Sequence, residues 1–257
     1  MRLVEYSDKK GYVPVIDMEN YKTQYNESFF INGTKNAWSY YFEQPSKYSL
    51  EEVYKSRNVT LSGWSIKKTQ DDSIFNFNFS EKLNKKRVDF INEKSGINKQ
   101  VIKKVVKFKE ELFTGKTLGV YLRGTDYVAL KPKGHPIQPE ILDVINKTKE
   151  FISKYNIEKI FLVTEDYEIY SQFIIEFGEM IISSDNNYIT NYNGEDYLVN
   201  YFNNSSNYER GLNYLVKMLL LSECDYLISS ITNGSLFSLM YNNNKYYDKY
   251  IFNLGYY

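Results

Sequence analysis

Three apolar runs in this chain stop at polar residues suited to holding an anion. Leu118–Leu122 runs into Arg123, Gly124, Thr125 and Asp126. Lys159–Val163 runs into Thr164, Glu165 and Asp166. The run at Tyr226 ends in Ser229, Ser230 and Thr232, followed by Asn233, Gly234 and Ser235. An arginine matches a phosphate with two parallel N–H donors. A small, hydroxyl-rich turn opening a helix offers free backbone N–H groups at the positive end of the helix dipole. If the three runs are parallel strands of one sheet, their C-terminal ends face one crevice. The chemistry there would be capture of a diphosphate. Each feature also has a plainer reading: a surface ion pair for Arg123, and a turn with an N-cap for Asn233–Ser235.

Other chemistries lack their residues. There is no GxxxxGK[ST] loop, HExxH, CxxC or GxSxG motif. One histidine and one cysteine leave no zinc site, and nothing demands a carboxylate-held Mg²⁺, so no metal is expected. Cys224 closes the apolar run LVKMLLLSEC and reads as buried filler. Lys and Arg together number 32, as do Asp and Glu, so the basic excess of a nucleic-acid binder is missing. No apolar stretch approaches the roughly 20 residues of a membrane span, and the N-terminus carries no signal-peptide core. With a single cysteine, the expected compartment is reducing and cytoplasmic. His135 follows the loop Lys131–Gly134, and either contacts phosphate or caps that loop.

The elements that must position these residues alternate clearly in the second half. Strands are predicted over 118–123, 159–164, 180–183, 226–229 and 250–253. Helices are predicted over 139–154, 166–177, 208–222 and 233–241. This rhythm implies a doubly wound parallel sheet. The first half is less regular. Strands are predicted over 12–17 and 58–62, and helices over 50–56 and 98–113, with a further helix at the N-terminus ending near Lys10. A boundary near Phe113–Lys116 divides the chain into an N-terminal lobe, 1–114, and a C-terminal lobe, 115–257. The polar stretch Asp185–Asn207 is long enough to be a functional loop. Tyr and Trp in Trp38–Phe42 either stack on a sugar or form lobe core, with core packing favoured.

The order GVYLRGTD, GHP, IFLVTED, ERG and CDYLISSITNGS resembles the three-motif signature of the GT-B fucosyltransferase superfamily. That group includes the α1,6-, α1,2- and protein O-fucosyltransferases and bacterial relatives. The resemblance covers Leu118–Tyr257 well and is looser over Gly11–Ser62. It implies an α/β fold of GT-B type with two Rossmann-like lobes. The N-terminal lobe would be small and lack its leading strand, as in a chain that starts late. It also implies a metal-independent, inverting transfer with no cofactor beyond a GDP-sugar donor. Fucose would pass to a glycan acceptor in bacterial surface-polysaccharide synthesis, in the cytoplasm or at the inner face of the membrane.

Residue by residue, the resemblance implies that Arg123 grips the donor diphosphate, assisted by Ser229 and Asn233–Ser235. It places Asp225 near the guanine and sets Glu165 and Asp166 in the donor pocket. Tyr121, Asp126, His135 and Arg210 complete the donor set. Inversion requires a general base, for which Asp17 and Glu43 are the candidates. The chain departs from the family pattern at Tyr121, where a histidine is common, and at Gly124, where a second arginine is common. The alternative reading is a truncated, non-catalytic nucleotide- or sugar-binding protein. A methyltransferase of Rossmann type is a third, but its early glycine-rich loop is missing.

Overall fold

The computed structural model describes residues 2–62, 88–89, 93–201, 206–243 and 245–257. The chain forms two compact units, Met1–Ile102 with Ser206–Leu212, and Lys103–Ser205 with Asn213–Tyr257.

The first unit holds the helices α1 (Arg2–Lys9), α2 (Ala37–Tyr41) and α3 (Leu50–Lys55), and the start of α4 (Lys99–Leu112). Asn36 caps α2 by accepting the Trp38 N–H at 3.2 Å. Ser49 and Glu52 cap α3 reciprocally. The two strands expected here are not formed. Over 12–17 the backbone finds side-chain amides instead of a neighbouring strand. Ile16 donates its N–H to Gln44 Oε1 at 2.9 Å, and its carbonyl accepts from Gln44 Nε2 at 2.8 Å and Asn36 Nδ2 at 2.7 Å. Residues 58–62 are exposed and pair with no strand among the described residues. The aromatic segment is mostly core. Tyr40 and Tyr41 are buried, Tyr41 stacks on Tyr208 with ring centroids 5.8 Å apart, and Trp38 stacks on Phe42 at 4.6 Å.

The second unit is built on β1 (Thr117–Tyr121), α5 (Thr125–Ala129), α6 (Ile141–Tyr155), β2 (Lys159–Val163), α7 (Tyr167–Phe177) and β3 (Ile181–Ile182). It continues through α8 (Asn207–Ser222), which begins in the first unit, to β4 (Tyr226–Ser230), α9 (Asn233–Asn242) and β5 (Asp248–Phe252). The strands are all parallel in the order β3-β2-β1-β4-β5. The chain therefore winds outward from β1 in both directions, and the switch point lies between β1 and β4.

Every residue of β1 and β4 is buried, as a parallel sheet covered on both faces requires. Leu118, Val120 and Leu122 pack with Ile160, Leu162 and Ile228 against Val144, Phe151 and Phe173 of α6 and α7. The opposite face meets α8 and its continuation: a Cβ added at Gly119 would lie 2.6 Å from Leu221 Cδ1 and 3.1 Å from Cys224 Sγ. Cys224 is buried filler, and burial pushes its thiol pKa well up.

Candidate active site

Strand register brings the first two motifs together. Tyr121 lies opposite Val163 of β2 and Ser229 of β4. Two residues further on, Arg123 therefore stands beside Glu165, beyond the C-terminal edge of the sheet. Arg123 Nε donates to Glu165 Oε1 at 3.0 Å, and Nη2 donates to Asp126 Oδ1 at 2.8 Å. The guanidinium carbon sits 4.5 Å from the Tyr127 ring centroid. Burial opposes the charge of Arg123, but Glu165 and Asp126 outweigh it and raise the guanidinium pKa. Arg123 is thus permanently cationic and held on three sides, by Glu165, Asp126 and Tyr127.

The turn after Arg123 is tight. Thr125 has φ 41°, in the left-handed region that a β-branched residue rarely enters. It is over-determined by the loop after β2. Thr125 Oγ1 donates to Glu165 Oε1 at 3.0 Å, and Thr125 N to Asp166 Oδ2 at 3.2 Å. Asp166 also caps α7, accepting the Glu168 N–H at 2.8 Å. A Cβ added at Gly124 would lie 2.2 Å from Asp166 Oδ2 and 2.7 Å from Asp166 Cβ. Position 124 is closed to a side chain here.

The third motif forms the other wall. Thr232 and Ser235 cap α9 reciprocally, and Ser235 Oγ also donates to the Ser230 carbonyl at 2.7 Å. Ser229 Oγ donates to the Ser230 carbonyl at 2.9 Å. The hydroxyls of Ser229 and Ser235 are therefore used inside the turn, and Asn233 is the exposed residue of the group. Gly234 admits no side chain: an added Cβ would lie 2.6 Å from Tyr214 Oη and 2.9 Å from Tyr121 Cε1. Tyr121 is buried with a hydroxyl that has no hydrogen-bond partner among the described residues.

His135 lies on the loop before α6. Its ring packs on Tyr127 at 5.1 Å, and its Nδ1 is buried without a hydrogen-bond partner among the described residues. Its loop pairs with the segment 255–257, through Tyr257 N to the His135 carbonyl at 3.1 Å and Gly134 N to the Tyr257 carbonyl at 3.0 Å. Tyr127 thus contacts both Arg123 and His135.

Asp225 requires a correction. It lies at the opposite edge of the sheet, just before β4, where its Oδ2 accepts the Thr117 N–H at 2.8 Å. It fixes the start of β1 and is a strand's length, about 16 Å, from the Arg123 edge. The signal was in the order of residues: Asp225 precedes its apolar run, whereas Arg123 and Glu165 follow theirs.

Asp17, Glu43 and Arg210 belong to the first unit. Asp17 accepts from the backbone of Glu19 and Asn20 and from the side chains of Asn20 and Tyr54. Partial burial raises its pKa, but these donors prevail and hold it below the ordinary value. A carboxylate so stabilised is a weak base. Glu43 is exposed, beside Gly96. Arg210 Nη2 donates to the Gln24 carbonyl at 2.7 Å and to Asn207 Oδ1 at 3.1 Å.

Three contributors were not singled out from sequence. Tyr127 sits four residues after Arg123, a spacing that a short helix turns into a stack. Leu198 N donates to Asp126 Oδ2 at 3.3 Å, so the polar 185–201 stretch reaches the arginine cluster. Gln138 Oε1 accepts from Ser230 Oγ at 2.5 Å and ties the loop before α6 to the end of β4. Of these three, only the polar stretch around Leu198 carried a signal in the sequence, its length. Among the described residues, no group of three or more His, Cys, Asp or Glu side chains is placed to hold a metal ion. No helix among them is long and apolar enough to cross a membrane.

No protein-family model and no curated protein matches the chain. Solved structures do. NodZ alpha-1,6-fucosyltransferase co-crystallized with GDP aligns over 94% of this chain and 85% of its own, with a TM-score of 0.54 and 15% identity. The same enzyme soaked with GDP-fucose aligns with a TM-score of 0.53 at 15% identity, covering 94% and 85% of the two chains. Fucosyltransferase NodZ from Bradyrhizobium aligns with a TM-score of 0.51 at 15% identity, covering 94% and 86%. The switch-point sheet and this likeness together give the chain the fucosyltransferase-like GT-B fold.

Proposed function

We propose that this chain is a glycosyltransferase that takes a GDP-sugar donor, fucose foremost, and transfers the sugar to a glycan acceptor with inversion. The observation that carries the reading is Arg123, a half-buried and permanently charged guanidinium set at the switch point of the sheet. The likeness to a fucosyltransferase crystallised with GDP supports the choice of nucleotide. Arg123 and the amino end of α9 would neutralise the charge that develops on the departing diphosphate, a task that needs no ion. Synthesis of a bacterial surface polysaccharide in the cytoplasm is the setting that fits such a donor.

The test is titration calorimetry with GDP in the absence of divalent metal. Wild type is expected to bind, and Arg123→Ala to bind roughly 10- to 100-fold more weakly, the value of charge-assisted hydrogen bonds of about 1.5–3 kcal/mol. Absence of GDP binding by a folded wild type would refute the reading. GDP released from GDP-fucose on addition of acceptor distinguishes an enzyme from a binding protein.

A further inference from the structure

Three donors from three consecutive residues converge on a single oxygen. Glu165 Oε1 accepts from Arg123 Nε at 3.0 Å, Gly124 N at 3.1 Å and Thr125 Oγ1 at 3.0 Å. The side chain of Glu165 is 12% exposed. A carboxylate lining a diphosphate pocket would repel its ligand, and an oxygen filled by three protein donors has little left to offer one. The same oxygen holds the left-handed Thr125 and the guanidinium in one arrangement.

We propose that Glu165 is the positioning residue of Arg123: it acts by fixing the turn and the guanidinium, without touching the donor. This inference rests on reading Arg123 as the diphosphate contact. It separates the two acids of the second motif. Glu165 sets the direction of the arginine, whereas Asp166 caps α7 and fills the space beside Gly124. Acceptor geometry matters for this role more than negative charge, because a neutral carbonyl oxygen can receive the same three donors.

Glu165→Gln and Glu165→Ala distinguish the possibilities. GDP and GMP are titrated by calorimetry, because only GDP carries the terminal phosphate assigned to Arg123. The exchange rate of the Arg123 Nε–H is measured by NMR in nucleotide-free protein. Glu165→Ala is expected to bind GDP at least about 10-fold more weakly and GMP within about 3-fold of wild type. Glu165→Gln is expected to bind both within about 3-fold of wild type. The Nε–H should be protected in wild type and Glu165→Gln and exchange freely in Glu165→Ala. Equal protection in Glu165→Ala overturns the proposal. So does a loss of GDP affinity in Glu165→Gln as large as in Glu165→Ala, which would mean that the carboxylate itself meets the donor. If wild type binds no GDP, the diphosphate reading fails, and the exchange rates still decide whether Glu165 holds Arg123.

Discussion

Gly124→Ala should be among the most damaging single-methyl additions in the second unit. The new Cβ would lie 2.2 Å from Asp166 Oδ2, 2.8 Å from Cγ and 2.7 Å from Cβ. Rotation of the Asp166 side chain moves the oxygens away but leaves its Cβ in place, so the backbone must give. Overpacking of this kind costs about 1–3 kcal/mol. The displaced carboxylate also stops capping α7, which costs about 1 kcal/mol more. The sum, about 2–4 kcal/mol, corresponds to a fall in Tm of roughly 5–15 °C for a chain of this size.

Urea and thermal unfolding of Gly124→Ala, Asp166→Ala, Asp166→Gly and both double variants form a test. Asp166→Gly removes the clashing Cβ and should recover at least ~1 kcal/mol in the Gly124→Ala background. Asp166→Ala retains that Cβ and should recover little. A Gly124→Ala protein within ~0.5 kcal/mol of wild type, the range of an ordinary surface change, would refute the steric argument. So would equal recovery by the two Asp166 variants.

Asp225→Ala should destabilise the protein by about 1–3 kcal/mol by leaving the Thr117 N–H without its acceptor, and should leave GDP affinity unchanged. The opposite pattern, lost affinity with intact stability, would return Asp225 to the donor pocket. Asp248 predicts a pH effect. The Tyr155 hydroxyl donates to its carboxylate, and this bond outweighs burial and lowers the Asp248 pKa. A carboxyl whose folded pKa is depressed contributes stability above its unfolded pKa and loses it as pH falls through the folded one. Asp248→Asn should therefore be less stable than wild type at neutral pH and equal to it in strong acid. An equal gap in urea midpoint at both ends would contradict the sign.

The sequence by itself determined the elements of the second unit. Strands at 117–121, 159–163 and 226–230 and the helices over 141–155, 167–177 and 207–222 lie within two residues of expectation, whereas the short helix Thr125–Ala129 was not expected. Local apolar periodicity carries that information, because each buried strand or helix face is written in adjacent residues. The same runs determined that Arg123 and Glu165 stand at the carboxyl edge of the sheet. What only the tertiary structure decided are the partners. Arg123 meets Glu165 across 42 residues, and Thr117 meets Asp225 across 108. Neither pairing leaves a mark in a local pattern. The arginine read as an open anion grip is already braced by two carboxylates. An acid placed by resemblance in the donor pocket instead fixes the far edge of the sheet.

The segment 12–17 looked like a strand because its apolar content is right. It is not one because the amides of Asn36 and Gln44 satisfy the Ile16 backbone first. Hydrogen-bond satisfaction is settled by whichever donor or acceptor the folded chain brings near. Residue type sets what a group can do, and the fold decides what it is left free to do.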